Sequence, residues 1–214
     1  MRPTLQQLID KFYYFNHLIF EDKLPIPEIR QTTDIYRAGC TISHIVRHAD
    51  GTITRSGWII RISVRFDSPE SHFDNVLVHE MIHYYIGYNN LKDNDSHGEL
   101  FVKMMNEINE KYGMNIQVRG VFSDAEISQL RPRQRYFCVV QMEDGQIAFQ
   151  VVAKNKVREV WNFYKTVPDI QEMTWYTSLN PRLGFAPLTT SPHLFFVDEA
   201  SLPELLVGAV PLSG

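Results

Sequence analysis

Cysteine is scarce in this chain, and so are long hydrophobic runs. Only Cys40 and Cys138 occur in 214 residues. Two cysteines exclude a four-cysteine zinc ribbon and fit a reducing compartment, although a single disulfide stays open. No apolar run approaches the roughly 18 residues that a membrane span needs, and the N-terminus leads into an amphipathic pattern rather than a signal peptide. We therefore expect a soluble cytoplasmic protein with no membrane partner.

An excess of basic charge is also missing. Lysine and arginine number 21 against 25 acidic residues, which gives a net charge of −4. A broad electrostatic attraction for nucleic acid is therefore not supported, and DNA stays open as a partner. The chain is 44% hydrophobic and 12% aromatic. That composition is typical of a globular protein, with enough length for one core plus a small appended domain.

The periodicity of the first half predicts an α+β fold. Thr4 and Gln7 form a capping box ahead of apolar residues at helical spacing, so a helix is expected to about Phe20. Residues 28–66 change to a period of two, with a tight turn at Asp50-Gly51. This pattern predicts two or three antiparallel strands that include a hairpin.

Two further helices are expected after this small sheet. One begins near Ser68-Pro69 and runs to about Ile86, with Gly87 as its C-terminal stop. The other begins at a second capping box, Ser96 with Glu99. That box would place His97 in the first turn of a helix that reaches about residue 112. The order is then helix, small antiparallel sheet, helix, helix.

A domain boundary is predicted near residue 130. Residues 1–130 would form the first domain, and residues 131–214 a small β-rich one. Within the second, Glu143-Asp144-Gly145 is a good hairpin turn between strands at 136–141 and 146–152. A helix is expected from Val157 to Tyr164, short strands at 173–177 and 194–197, and irregular wrapping for the proline-rich tail.

One motif carries chemistry: His79-Glu80-Met81-Ile82-His83. Histidines at i and i+4 of a helix lie on one face, so both rings can reach one metal ion. Glu80 is beside that face, where it can deprotonate a water held by the metal. Three protein ligands with one open position indicate a catalytic zinc rather than a structural one.

The third ligand distinguishes the zinc peptidase classes. Metzincins place a histidine six residues after the second one, and that position is Asn89 here, so this class is excluded. A glutamate on a later helix is the alternative, and Glu99 is a candidate. We favour His97 because Glu99 is already suited to the capping box, although both remain open. The other histidines are expected to be structural: His17, His44, His48, His72 and His193.

Four segments together resemble SprT-like domains, over about residues 4–115. They are the opening helix through Phe12-Tyr13-Tyr14-Phe15-Asn16 with Leu24-Pro25, then Ala38-Gly39-Cys40, the zinc motif, and Ser96-His97-Gly98-Glu99-Leu100-Phe101. The resemblance implies a zinc-dependent endopeptidase that holds one catalytic zinc ion on three histidines and acts on a protein substrate. It also implies His79, His83 and His97 as metal ligands and Glu80 as the general base.

Some features depart from that pattern or leave the function open. Members often carry a four-cysteine ribbon after the core, whereas this chain has only Cys138 there, so we expect a metal-free hairpin packed by apolar residues: Phe137, Val139, Phe149, Val151 and Trp161. DNA-associated proteins are one candidate substrate. The alternative function is a non-proteolytic zinc-fold module that binds DNA or protein, for which the candidate contacts are Arg131, Arg133, Arg135, Tyr136 and Phe137. The candidate oxyanion donors are Tyr36, Tyr84, Tyr85 and Tyr88.

Overall fold

The computed structural model describes residues 1–118 and 123–212. These residues form two compact units, Met1–Phe122 and Ser123–Gly214, which we call unit 1 and unit 2. Both units combine helices with a sheet, so the predicted α+β class is confirmed. None of the helices in the described ranges is both long and apolar enough to cross a membrane.

Unit 1 has the predicted order of helix, sheet, helix, helix. Its elements are α1 (Leu5–Phe20), β1 (Glu28–Thr32), β2 (Gly39–Arg47), β3 (Ile53–Ser63), α2 (Glu70–Tyr88) and α3 (Glu99–Tyr112). The capping box predicted for α1 is present, because the Thr4 side chain accepts from the Gln7 amide and the Gln7 side chain accepts from the Thr4 amide. This box satisfies amides that have no partner inside the helix.

The sheet of unit 1 is mixed rather than wholly antiparallel. Its order is β1-β3-β2, so β3 lies between the other two strands. The β2–β3 hairpin pairs antiparallel, whereas β1 pairs parallel with β3. The prediction of antiparallel strands was therefore wrong for β1. The reason is topological: β1 pairs with the returning arm of the hairpin, and that arm runs in the same direction as β1.

The core of unit 1 lies between the helices and the sheet. Its fully buried members come from α1, β3, α2 and α3: Leu8, Phe12, Ile60, Ile62, Leu77, Val78, Met81, Ile82 and Phe101. Helix α2 was predicted to stop at Gly87, but it continues to Tyr88. A β-carbon at Gly87 would collide with the Trp58 ring. The glycine therefore allows close packing of α2 on β3, and it is not a left-handed cap.

Unit 2 is built on a six-stranded sheet. Its elements are α4 (Asp124–Ile127), β4 (Arg135–Met142), β5 (Ile147–Val152), α5 (Val157–Tyr164), β6 (Ile170–Ser178), β7 (Leu188–Thr189), β8 (Phe195–Val197), α6 (Leu202–Leu205) and β9 (Val210–Pro211). Strand order is β7-β5-β4-β6-β9, and β8 also pairs with β5. The predicted hairpin joins β4 to β5, with Gly145 at φ 84°. The tail contributes short strands to this sheet and is not only irregular wrapping.

The sheet of unit 2 buries apolar side chains on both faces. Phe137 and Phe149 pack with Leu183, while Cys138 packs with Trp175 on the other face. Trp161 stacks on Trp175, with ring centroids 5.4 Å apart. The prediction that Trp161 packs with Phe137 and Phe149 was therefore wrong. Alternate strand residues point to opposite faces, and Trp161 covers the face that carries Cys138 and Trp175.

A matched pair of leucines on α1 tests the core of unit 1. Leu8 is 0% exposed and Leu18 is 39% exposed. We expect Leu8→Ala to lower the free energy of unfolding by about 3 kcal/mol, since it leaves a cavity in the core. Leu18→Ala should change it by less than about 0.5 kcal/mol. Calorimetry on the full chain measures both, and equal effects would contradict this assignment of the core.

Candidate metal centre

Helix α2 presents two histidines from a firmly packed position. Leu77, Met81 and Ile82 are fully buried, so the rotation of the helix about its axis is set by core packing. His79 and His83 are one turn apart and half-buried. Their Nε2 atoms lie 3.1 Å apart. The helical spacing thus brings both rings to one point, as the sequence predicted.

His97 reaches the same point from the loop that precedes α3. The predicted capping box of Ser96 and Glu99 is wrong, because the helix begins two residues later than that box requires. Its N-cap is Gly98, and no capping bond from the side chain of the N-cap residue is present. His97 therefore lies before the helix rather than in its first turn.

Asp93 and Asn94 satisfy the start of α3 from outside the helix. The Asp93 carboxylate accepts hydrogen bonds from the Leu100 and Phe101 amides at 3.3 and 2.9 Å. Asn94 Oδ1 accepts from the Glu99 amide at 3.3 Å. Desolvation opposes ionisation of Asp93, but these amides outweigh it and lower its pKa. The bonds hold the loop that carries the third histidine.

Gly98 is required by this arrangement because of space. A β-carbon at residue 98 would collide with the side-chain oxygens of Asp93 and Asn94. Only glycine lets those two side chains fold over the start of the helix. The position of His97 thus depends on the residue that follows it, as well as on the acidic loop before it.

The three histidines form a nearly equilateral triangle of nitrogen atoms. The Nε2 of His97 lies 3.2 Å from that of His83 and 3.1 Å from that of His79. Tetrahedral zinc with bonds of 2.0–2.1 Å separates its imidazole nitrogens by roughly 3.3 Å. Among the described residues, this is the group whose histidine, cysteine or carboxylate atoms converge as metal ligands would. The geometry fits one zinc ion.

The hydrogen bonding of His79 directs a nitrogen lone pair toward the other two histidines. Its Nδ1 lies 2.9 Å from the carbonyl oxygen of Gln117. A carbonyl can only accept, so Nδ1 carries the proton and Nε2 presents a lone pair. Burial, and then the neighbouring imidazoles, lower the pKa of His79 to about 4 and that of His83 to about 3. Neutral imidazoles are the form that binds metal.

Phe101 supports all three rings. It is fully buried, and its ring centroid is 4.5 Å from that of His83, 4.8 Å from that of His97 and 4.9 Å from that of His79. The ring forms an apolar floor that restricts how the imidazoles tilt. The sequence indicates Phe101 only as the end of the segment that resembles SprT-like domains, with no role assigned to it. Its spacing of four residues after His97 is the signal that could have indicated this role.

Glu80 lies on α2 beside the triad and is 4% exposed. Thr41 of β2 donates a hydrogen bond to its Oε2 at 2.7 Å. Burial raises the pKa of Glu80 to about 7, while the hydroxyl and amide of Thr41 act in the opposite direction. The carboxyl is therefore buried against one strand and can exchange a proton near neutral pH.

The other candidates lie apart from this cluster. Glu99 is exposed on the first turn of α3 and is not among the converging ligand atoms. Tyr84 donates its hydroxyl to the Pro25 carbonyl at 2.9 Å, which makes it a core residue rather than an oxyanion donor. Tyr36 is exposed. Phe137 is fully buried in unit 2, so the prediction that it could stack on bases was wrong.

Two histidines of a His-Glu-x-x-His motif on one helix and a third from the following loop thus form a cluster that could hold a metal ion. The chain belongs to the SprT-like family, whose sequence profile matches residues 8–120. This match confirms the resemblance noted from the sequence.

Curated relatives carry the name "DNA-dependent metalloprotease SPRTN". The protein from Bos taurus is 33% identical over 130 residues, which is 60% of this chain and 25% of that protein. The Homo sapiens protein is 32% identical over 130 residues, with 60% and 25% covered. The Xenopus tropicalis protein is 32% identical over 122 residues, with 56% and 26% covered. The chain thus matches about a quarter of the length of these relatives.

Replacing His97 or Glu99 tests which of them is the third ligand. We expect His97→Ala to weaken zinc binding by more than the 10- to 100-fold that loss of an outer-shell partner costs. Glu99→Gln should bind zinc like the wild type, since its carboxylate is exposed and is not among the converging ligand atoms. Metal content after dialysis against graded chelator measures both. Zinc loss in Glu99→Gln with retention in His97→Ala would reverse the assignment.

Proposed function

We propose that this protein is a zinc-dependent endopeptidase of the SprT-like class. The observation that carries the proposal is the triangle of His79, His83 and His97 nitrogens beside a buried carboxyl, Glu80. Membership of the SprT-like family and relatives named as metalloproteases support it. The two histidines of α2 and the loop histidine would hold one zinc ion.

When bound, zinc supplies a Lewis acid that polarises a peptide carbonyl and makes water more acidic. The chain itself supplies the proton transfer. Glu80 accepts a proton from the attacking water at a carboxylate oxygen and passes it to the leaving amine. Its pocket excludes bulk water, and the Thr41 hydroxyl holds one of its oxygens. Phe101 keeps the three imidazoles in their converging orientation.

The substrate is a protein, and we propose that it is associated with DNA. The support is the name of the relatives, which describes them as DNA-dependent. The net charge of −4 gives no general attraction for nucleic acid. A local contact is therefore required, and Arg131 and Arg133 are exposed in the segment that precedes β4.

Exchange of the general base for its amide tests the proteolytic function. Glu80→Gln should keep about one zinc per chain and lose cleavage of denatured casein by at least about 100-fold, because an amide cannot accept the proton. Glu110→Gln, an exposed glutamate of α3, is the matched control and should cleave like the wild type. Metal analysis and peptide release measure the two properties.

The Glu80→Gln variant also distinguishes the endopeptidase from the alternative function. A non-proteolytic zinc-fold module would carry zinc and bind DNA or protein. In that case the wild type would show no more cleavage than Glu80→Gln. A wild type that stays free of zinc after reconstitution would contradict both functions.

Removal of two exposed arginines tests the link to DNA. We expect wild-type protein to bind labelled single-stranded DNA at low salt, with binding that weakens as salt increases. Arg131→Ala with Arg133→Ala should lower the slope of log affinity against log salt by about 1.4, for two lost phosphate contacts. Arg158→Ala with Lys165→Ala removes the same charge from exposed positions of unit 2. Fluorescence anisotropy measures the slopes, and an equal change in the control pair would refute a local contact.

A further inference from the structure

Strand β2 contacts the side chain of Glu80 through two residues on one face. Gly39 pairs with Ile62 and Thr41 with Ile60 across the β2–β3 ladder. Directly opposed residues of a ladder project to the same face, and both isoleucines are fully buried in the core. A slip of one residue would place Cys40 toward the core instead. Burial of β3 therefore holds residues 39 and 41 against α2.

Gly39 provides the space that the carboxyl occupies. A β-carbon built at this position would lie 2.5 Å from Glu80 Oε1 and 2.8 Å from its Cγ. These separations are far inside van der Waals contact. No side chain fits there unless Glu80 moves. Gly39 is needed for close approach of the strand to the acid.

Thr41 restrains the same carboxyl from the next inward-facing position. Its Oγ1 lies 2.7 Å from Glu80 Oε2 and 3.0 Å from the Glu80 carbonyl oxygen. One hydroxyl proton serves these two acceptors of a single residue. A glutamate side chain has three rotatable bonds and loses rotamer freedom when it is fixed. The close approach of Gly39 to Oε1 and the hydrogen bond from Thr41 to Oε2 together select one rotamer.

We infer that β2 positions the general base. Thr41 is a positioning residue that orients the Glu80 carboxylate, and Gly39 leaves free the space that this carboxylate occupies. This inference rests on the proposed function, in which Glu80 transfers the proton. It assigns to the sheet a direct part in proton transfer, in addition to its part in the core.

A register shift in β2 separates the segment that contacts Glu80 from the rest of the hairpin. The register shifts between Ile42 and His44, immediately after Thr41. A bulge breaks the regular pairing of the strand at that point. Residues 44–57 beyond it are all exposed, so the outer hairpin packs on neither face. The segment that contacts Glu80, residues 39–41, is the part of β2 that precedes this register shift.

Valine and serine at residue 41 distinguish positioning from a structural role. Thr41→Val keeps the branched shape and removes the donor, so kcat should fall 10- to 100-fold with KM unchanged and zinc retained. Thr41→Ser restores the hydroxyl and should recover kcat to within about threefold of the wild type. Thr54→Val, an exposed threonine on the outer hairpin, is the matched control with wild-type kinetics. Casein cleavage by zinc-loaded full chain measures these values.

Three outcomes overturn the inference. One is a Thr41→Val enzyme as active as the wild type, and another is a Thr41→Ser enzyme as impaired as Thr41→Val. The third is a Thr41→Val enzyme that loses zinc and has a changed KM as well as a lower kcat, which would assign Thr41 to stability. Gly39→Ala gives a second variant, and its added methyl should lower kcat at least as much as Thr41→Val.

Crystal structures of the zinc-loaded variants decide the inference without activity. Glu80 should leave its wild-type rotamer in both Thr41→Val and Gly39→Ala, and an unmoved carboxylate in both would overturn it. A wild type that binds zinc yet cleaves nothing would refute the proposed function alone. In that case the rotamer comparison still tests whether β2 positions this side chain.

Discussion

The convergence of three imidazole nitrogens within 3.2 Å of one another is the constraint on which the rest of unit 1 depends. At least one of these nitrogens presents a lone pair, because the other nitrogen of His79 donates to a carbonyl. Side chains that are brought this close in a half-buried site lose rotamer freedom. The surrounding structure therefore has to hold the rings together. That requirement explains the deep burial of α2 and the apolar floor formed by Phe101.

The two chemical parts of the site depend on different neighbours. The three histidines depend on α2 and on the loop held by Asp93, whose carboxylate takes the place of a local cap. The acid depends on α2 and β2, where Gly39 and Thr41 surround its carboxyl. Helix α2 is common to both, so the rotation that aims His79 and His83 toward His97 also turns Glu80 toward the strand.

Errors in the sequence prediction share one physical origin. Ser96 and Glu99 have the spacing of a capping box, yet side chains several residues earlier cap the helix. Gly87 has the appearance of a helix stop, yet it permits contact with Trp58. In both cases a local rule describes what a residue can do alone, while a partner distant in sequence decides what it does. The parallel pairing of β1 has the same origin, since strand neighbours are chosen by the whole sheet.

Local geometry controls the features of this protein that can be predicted from its sequence. Helical periodicity placed His79, Glu80 and His83 on one helix, and period-two patterns placed the hairpins. The packing of distant segments, by contrast, brings His97 rather than Glu99 to the other two histidines and places Gly39 and Thr41 around the carboxyl of Glu80. Spacing along one helix follows from its fixed rise and turn, whereas contact between a loop, a strand and a helix follows from how the core packs.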